Sequence, residues 1–120
     1  MQKIQIKPLS VNKAWKGRRF PSEEYKEYTQ EVLMRLRFIE VPKKTRLTLI
    51  IWSGVSSNSS DASNLIKLFE DILCKKFGHD DRWHYSVVVH KKIVPKGKEY
   101  IAFDIHQQTQ EEIAICDLMI

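Results

Sequence analysis

Side chains that bind metal ions and phosphates are concentrated between residues 61 and 81. They are Asp61, Asn64, Lys67, Asp71, Asp80 and Asp81. A hard divalent cation such as Mg²⁺ takes one or two carboxylates from a protein, together with water and phosphate oxygens. Such an ion polarises a phosphoryl group and activates water for attack, and a neighbouring ammonium group stabilises the negative charge that develops. The pattern indicates a site for metal-assisted phosphoryl chemistry, with Lys67 as the ammonium group.

Each of these acids also has an ordinary structural interpretation. Asp61 is suited to cap a helix, Asp71 to lie on a solvated helix face, and the Asp80–Asp81 pair to form a turn. Asp61 at the start of this helix and Asp80 or Asp81 just after its end would lie about 26 Å apart if the helix is straight, too far to hold one ion within one chain. Asp71, in the middle of that helix, is the acid that a returning loop or a second subunit could bring close to Asp80 or Asp81.

The helix that must position these side chains is predicted from Asp61 to about Phe77. Its apolar positions share one face, and they are Leu65, Leu68, Phe69, Ile72 and Leu73. Asn64, Lys67 and Asp71 lie within roughly 60° of one another on the opposite face. Gly78 is well placed to end the helix in a left-handed conformation.

The remaining elements are predicted from hydrophobic periodicity and turn residues. The sequence predicts a strand in "QKIQIK", a helix over 23–38 capped by Ser22, and strands over 46–52, 83–94 and 99–107. Because "PKGK" between the last two strands is a tight-turn signal, we expect them to form an antiparallel hairpin.

The resulting order, β-α-β-α-β-β, predicts an α/β fold. We expect a single-domain, two-layer sandwich with a small mixed sheet of about four strands and two main helices. This domain spans residues 1–107, and residues 108–120 form an acidic tail without clear periodicity. The tail could pack on a neighbour, add a short helix, or cover a basic surface.

Charge is distributed unevenly along the chain, whose total is +5. Residues 1–98 hold all 20 Lys and Arg against 10 acids, and residues 99–120 hold five acids and no base. A basic body favours a polyanionic partner, most commonly nucleic acid, although a basic soluble protein without such a partner is equally compatible.

Two segments of the basic body are candidate nucleic-acid contacts. A loop interleaves aromatic and cationic residues, namely Asn12, Lys13, Trp15, Lys16, Arg18, Arg19 and Phe20. Bases stack on such rings while the cations neutralise phosphates; alternatively, the rings anchor the loop to the core. Lys91 and Lys96, with Lys92 and Lys98 beside them, form a second positive patch.

Other kinds of site receive little support from the sequence. The two cysteines, Cys74 and Cys116, indicate neither a disulfide framework nor a zinc site, so we expect a reducing, cytoplasmic setting. The four histidines show no zinc-ligand spacing and are interpreted as structural, with His79, beside Asp80 and Asp81, as the partial exception. No apolar run reaches the ~20 residues that span a membrane, so no membrane association is expected.

An ordered set of motifs resembles the RusA family of Holliday junction resolvases. The set comprises "PLSVNKAWKGRRF" at 8–20, "DASNLIKLFEDIL" at 61–73, "FGHDD" at 77–81 and the segment "KKIVPKGKEYIAFDI". The resemblance covers residues 1 to about 106, and the tail falls outside it. It implies a homodimer that binds four-way DNA junctions through a basic surface and cuts them with Mg²⁺, or alternatively Mn²⁺. Such proteins act in DNA recombination and repair and are often encoded by phages or prophages.

The resemblance assigns roles by position. Asp61, Asp80 and Asp81 correspond to metal ligands; Asp61, Lys67, Asp71 and Asp81 correspond to catalytic residues. Asn64 corresponds to the asparagine of the family's helix-opening motif. From the basic loop and the positive patch described above, together with Asn64, we expect DNA contacts at Asn12, Lys13, Trp15, Lys16, Arg18, Arg19, Asn64, Lys91 and Lys96. In the family the acids meet at a dimeric site, which would overcome the separation along the helix.

Ser63 departs from the family pattern, because it replaces the second aspartate of the helix-opening motif. A neutral hydroxyl is a poorer ligand for Mg²⁺ than a carboxylate. Three interpretations follow: the other acids compensate and the protein is a junction-resolving endonuclease; cleavage is impaired and only binding to branched DNA remains; or the serine is an engineered change.

Overall fold

The fold is built on a mixed sheet with helices packed against it. The computed structural model describes the backbone of residues 1–9, 15–16, 20–58 and 62–118, and the side chains of residues 1–9, 22–58 and 66–118. In chain order the elements are β1 (Gln2–Ile4), β2 (Trp15–Lys16), β3 (Phe20–Pro21), α1 (Glu23–Arg35), β4 (Leu47–Val55), α2 (Ala62–Phe77), a 3₁₀ turn (Asp81–Trp83), β5 (His84–Ile93), β6 (Tyr100–Gln107) and α3 (Gln110–Cys116).

The main sheet has the strand order β1-β6-β4-β5. β4 pairs in parallel with β5 and antiparallel with β6, and β1 pairs antiparallel with β6. β2 and β3 form a separate two-stranded pair. The predicted fold class, a single-domain α/β sandwich with a mixed four-stranded sheet, is therefore confirmed.

The predicted antiparallel hairpin between the last two strands is wrong. β5 and β6 lie on opposite sides of β4, the central and most buried strand of the sheet. The turn signal itself is real, since Gly97 has a φ of 92° and Lys98 N–H donates to Pro95 O over 2.9 Å. The connection, however, crosses the end of β4, where Val94 N–H donates to Val55 O over 2.8 Å. Burial of β4 on both edges therefore overrides the local hairpin pattern.

The core lies between the sheet and the pair α1 and α2. Leu47, Leu49 and Ile51 alternate along β4 and are fully buried, as expected for one face of a strand. Phe69 of α2 packs edge-on against Phe103 of β6, with ring centroids 5.7 Å apart. This packing fixes which face of α2 is turned to solvent, and so which side chains are available for chemistry.

Element boundaries follow the capping residues with small shifts. Ser22 caps α1 as predicted, because its hydroxyl accepts from Tyr25 N–H over 3.1 Å. α1 ends at Arg35, three residues before the predicted end, and β1 is half its predicted length. Among the described helices, none combines the length and apolar character required to cross a bilayer.

The C-terminal segment packs back on the domain through a short helix, one of the alternatives left open by its sequence. Thr109 and Glu112 form a reciprocal capping box at the start of α3. Gln108 is 5% exposed and donates to Ser86 Oγ over 2.7 Å. Ser86 and His106 both flank Thr48 in the sheet, on the face opposite the Leu49 side chain. α3 therefore begins on the face of the sheet opposite α1 and α2.

Candidate functional site

A reversal of the chain after α2 brings the second half of the acidic segment together. Gly78 adopts a φ of +71°, a left-handed conformation that glycine tolerates, and its N–H donates to Cys74 O over 2.8 Å. Lys43 Nζ donates to the carbonyls of Phe77 and Gly78 at 3.3 and 2.8 Å. These hydrogen bonds satisfy backbone carbonyl groups at the end of α2. The 3₁₀ turn that follows then packs beside α2.

Lys67 is the centre of the resulting group, which we call the Lys67 cluster and which comprises Lys67, Glu70, Asp71 and Asp81. Lys67 Nζ lies 3.1 Å from Asp71 Oδ1 and 3.0 Å from Asp81 Oδ2. Glu70 Oε1 is farther away, at 3.9 Å. Asp71 of α2 and Asp81 of the 3₁₀ turn, ten positions later, thus pair with the same cation, Lys67. The structure brings together three of the predicted site residues, Lys67, Asp71 and Asp81.

The Lys67 cluster is open to solvent on its outer side. The side chains of Lys67, Asp71 and Asp81 are 58%, 46% and 41% exposed, whereas that of Glu70 is 12% exposed. Hydrogen bonds to Asp81 and Asp71 raise the pKa of the Lys67 ammonium group well above its usual value. Lys67 is therefore charged at every physiological pH, and two accessible carboxylates face the same point.

Asp80 is oriented differently from Asp81. Its carboxylate caps the 3₁₀ turn, accepting from Arg82 N–H over 3.0 Å and from Arg82 Nε over 3.1 Å. Hydrogen bonds from the backbone and side chain of Arg82 lower the pKa of Asp80. Of the two neighbouring acids, Asp81 is thus the one directed to the Lys67 cluster, and Asp80 has a capping role.

A second group lies directly beneath the first, and we call its residues Cys74, His79 and His84 the Cys/His cluster. Their Sγ and ring-nitrogen ligand atoms all lie within 4.8 Å of one another. His79 Nε2 is 2.7 Å from His84 Nε2 and 3.7 Å from Cys74 Sγ. His84 is almost fully buried, with 1% of its side chain exposed, and its Nδ1 lies 2.7 Å from Glu70 Oε2. Glu70 therefore contacts both clusters.

Burial changes the proton affinity of two members of the Cys/His cluster. Burial, assisted by the neighbouring His84, lowers the pKa of His79 to about 4. Burial, assisted by the nearby carboxylates of Asp81 and Glu70, raises the pKa of the Cys74 thiol to about 12. At neutral pH His79 is an uncharged imidazole and Cys74 a protonated thiol, so Cys74 is a weak nucleophile in this state.

The other predicted site residues do not join these clusters or lie outside the described residues. Lys91 lies about 23 Å along β5 from His84, and its Nζ donates to Asn58 O over 3.3 Å. Lys96 is exposed in the turn between β5 and β6. The side chains outside the description are those of Asn12, Lys13, Trp15, Lys16, Arg18, Arg19, Asp61, Ser63 and Asn64.

Sequence reasoning missed Glu70 and the Cys/His cluster. The only sequence signal is an even spacing, with His79 five residues after Cys74 and His84 five residues after His79. These residues come from three kinds of backbone: the last turn of α2, the reversal after Gly78 and the first residue of β5. No single periodicity aligns them, so their convergence depends on the chain reversal.

Comparison with known proteins does not place the chain in a family. No protein-family model matches it, and no curated protein matches it significantly.

Proposed function

We propose that the protein is a structure-selective endodeoxyribonuclease that hydrolyses phosphodiesters in branched DNA, with four-way junctions as the preferred substrate. The observation that carries the proposal is the convergence of Asp71 and Asp81 on Lys67. The sequence left open whether a returning loop or a second subunit would bring these acids together. Their meeting gives two carboxylates and one ammonium group at an accessible position, as phosphodiester hydrolysis requires.

The donor set of the Lys67 cluster fits a hard divalent cation. Asp71 and Asp81 offer carboxylate oxygens on a surface open to water, and Mg²⁺ usually binds one or two carboxylates and retains several waters. The two carboxylates already face one positive charge, the Lys67 ammonium group, at about 3 Å on each side. Because Lys67 Nζ contacts Asp71 Oδ1 and Asp81 Oδ2, the other carboxylate oxygens of Asp71 and Asp81 would hold the ion. Asp61 is a further ligand proposed from the sequence alone.

Chemistry at this site divides between the ion and the protein. Mg²⁺, when bound, polarises a phosphoryl oxygen and lowers the pKa of a water molecule. Asp71 and Asp81 orient the reacting groups, and Lys67 neutralises the charge that develops on the phosphate in the transition state. The pKa of Lys67 is raised, so the residue acts as a fixed charge and not as a proton donor.

Recognition of DNA is proposed to extend beyond the Lys67 cluster. Lys91 and Lys96 are exposed towards the far end of β5. The distance of about 23 Å from His84 to Lys91 along this strand equals the length of about seven base pairs of duplex DNA. Phosphates contacted there would be several nucleotides from the scissile bond. The basic loop over 12–19 is proposed as the third contact, and a two-fold homodimer would match the symmetry of a junction.

A second candidate function is binding to branched DNA without cleavage. It is favoured by Ser63, which places a neutral hydroxyl where the RusA family, which the sequence resembles, has a carboxylate. In this alternative the Lys67 ammonium group remains paired with Asp71 and Asp81, and the basic surface alone determines affinity. The two candidates differ in a single measurable property, metal-dependent strand scission.

The test is incubation of the full chain with a labelled four-way junction and Mg²⁺ or Mn²⁺, with linear duplex as the control substrate. We expect symmetric cleavage of the junction. Asp81→Asn should reduce the rate at least about 100-fold, because it removes a direct ligand of the ion. Lys67→Met should reduce it by a similar factor through loss of charge stabilisation. Asp80→Asn is the matched control and should cleave at close to the native rate.

Binding of the junction is measured in parallel by gel mobility shift. Asp81→Asn should retain binding, which separates chemistry from recognition. Tight binding without cleavage in either metal, with cleavage gained in Ser63→Asp, would establish the second candidate. Cleavage by Asp81→Asn at the native rate would refute the proposed active site.

A further inference from the structure

The Cys/His cluster presents three ligand atoms to one point. Cys74 Sγ, His79 Nε2 and His84 Nε2 come from separate backbone segments and lie within 4.8 Å of one another. Thiolate and imidazole are the ligands that zinc takes in proteins, and they differ from the oxygen ligands that Mg²⁺ prefers. The chemistry of this cluster is thus distinct from that of the Lys67 cluster above it.

The distances agree with a tetrahedral site after a small adjustment. Ligand atoms around a tetrahedral zinc ion lie about 3.3–3.7 Å apart, given zinc–nitrogen and zinc–sulfur bonds of about 2.0 and 2.3 Å. Cys74 Sγ and His79 Nε2 are already 3.7 Å apart. The two Nε2 atoms are 2.7 Å apart and would have to separate by about 0.6 Å.

Glu70 orients one of the ligands. Its Oε2 lies 2.7 Å from His84 Nδ1, so the Nδ1–H bond is directed to the carboxylate and the Nε2 lone pair faces His79. Histidines that bind metal ions commonly donate their second ring N–H to a carboxylate in this way, and the contact fixes the tautomer. The ring of His84 is therefore arranged as a metal ligand before any ion binds.

We propose that Cys74, His79 and His84 form a binding site for Zn²⁺ or a similar borderline-soft transition-metal ion. The fourth position would be taken by water, since three protein ligands leave one tetrahedral site open. Binding forms one Zn–S and two Zn–N bonds and releases the thiol proton of Cys74 to solvent, because the thiolate is the ligand.

Two other functions for the same residues are less compatible with the geometry. A nucleophilic Cys–His pair requires a base that takes the thiol proton, and His79 Nε2, although 3.7 Å from Cys74 Sγ, lies closer to His84 Nε2, at 2.7 Å. A purely structural chain of hydrogen bonds would explain the contacts of Glu70 with His84 and of His84 with His79. It would leave the Cys74 thiol, which contacts His79 Nε2, without a role.

The test uses the full chain without an affinity tag, freed of metal by dialysis against a chelator. Cobalt(II) is added first, because coordination by a thiolate produces a charge-transfer absorption that carboxylate sites lack. We expect this absorption to saturate at one ion per chain, and Zn²⁺ to abolish it by displacement. An excess of Mg²⁺ should leave it unchanged, and Zn²⁺ should raise the melting temperature by preferential binding to the folded state.

Matched variants assign the ligands. Cys74→Ser and His79→Gln should each lose the absorption and weaken Zn²⁺ binding at least 100-fold, while Cys116→Ser and His90→Gln retain both. Unfolding without metal shows whether each variant is folded. Absence of the thiolate absorption in the native chain would overturn the proposal, and so would unchanged binding in Cys74→Ser. These outcomes are independent of DNA cleavage, so this site and the proposed nuclease site are tested separately.

Discussion

The Lys67 cluster and the Cys/His cluster are both built from α2 and the chain that follows it, yet they differ in the side chains that meet there. The first has exposed carboxylates around an ammonium group. The second has nitrogen and sulfur atoms around a nearly buried imidazole. Both clusters are assembled by the chain reversal at Gly78. Glu70, a member of the Lys67 cluster, also contacts His84 of the Cys/His cluster. The proposed site for a hard ion and the proposed site for a softer ion therefore differ in both their ligand atoms and their exposure.

Glu70 is the residue through which one cluster influences the other. One carboxylate oxygen lies 2.7 Å from the buried His84, and the other lies 3.9 Å from the exposed Lys67. A buried contact of this kind is costly to lose because the remaining partner is left unsatisfied, whereas an exposed ion pair contributes little. Substitutions in the two clusters should therefore differ most in their effect on folding stability.

The largest effect is expected for Glu70→Ala. Its removal leaves His84 Nδ1 buried without its partner, so the free energy of unfolding should fall by about 2–3 kcal/mol. Asp71→Ala is the matched control one residue later, and it should cost less than about 1 kcal/mol because its ion pair is exposed. Urea denaturation of both variants measures the difference. Equal losses would show that burial of Glu70 does not distinguish the clusters.

A smaller effect is expected for Gly78→Ala, which acts on the reversal shared by both clusters. A Cβ atom would meet only Lys43 Nζ at 3.7 Å, so there is no steric clash. The cost comes from the φ of +71°, at which a side chain costs roughly 1–2 kcal/mol. Thermal unfolding measures it.

Gly78→Asn is the matched variant for this prediction. Asparagine tolerates the left-handed region better than alanine, so its loss of stability should be smaller. If alanine and asparagine cost the same, or if alanine costs nothing, the left-handed conformation is not what holds the reversal in place.

The sequence predicted the elements well because each is determined locally. Hydrophobic periodicity located α2, and Ser22 and Gly78 marked helix ends where the structure has them. Strand pairing was predicted incorrectly because it is a non-local property. The turn after β5 is a genuine turn, but the burial of β4 between its two neighbours decides which strands pair.

The candidate site was predictable in part for the same reason. Lys67 and Asp71 share a helix face by spacing, so their proximity follows from periodicity. That Asp81 and not Asp80 joins them depends on which of two neighbouring carboxylates caps the 3₁₀ turn. The Cys/His cluster required the backbone reversal to be known, and spacing alone did not reveal it.

The smallest effect is expected at His106, a half-buried histidine whose surroundings contrast with those of the Cys/His cluster. Its ring nitrogens lie 3.0 Å from Asp104 Oδ2 and 3.0 Å from Glu112 Oε1. Although partial burial opposes the change, hydrogen bonds to Glu112 and Asp104 raise the pKa of His106. The folded state therefore favours the protonated ring, whereas burial lowers the pKa of His79.

The sign of the pH dependence follows from this difference. The contribution of His106 is complete below the unfolded-state pKa of about 6.5 and is lost as pH rises through the higher folded-state value. With the side chain 33% exposed, the effect should be under about 1 kcal/mol. Urea denaturation between about pH 5.5 and 8.5 should show native and His106→Gln proteins converging in stability as pH rises. Divergence with rising pH would mean that the carboxylates of Asp104 and Glu112 do not hold a proton on the ring.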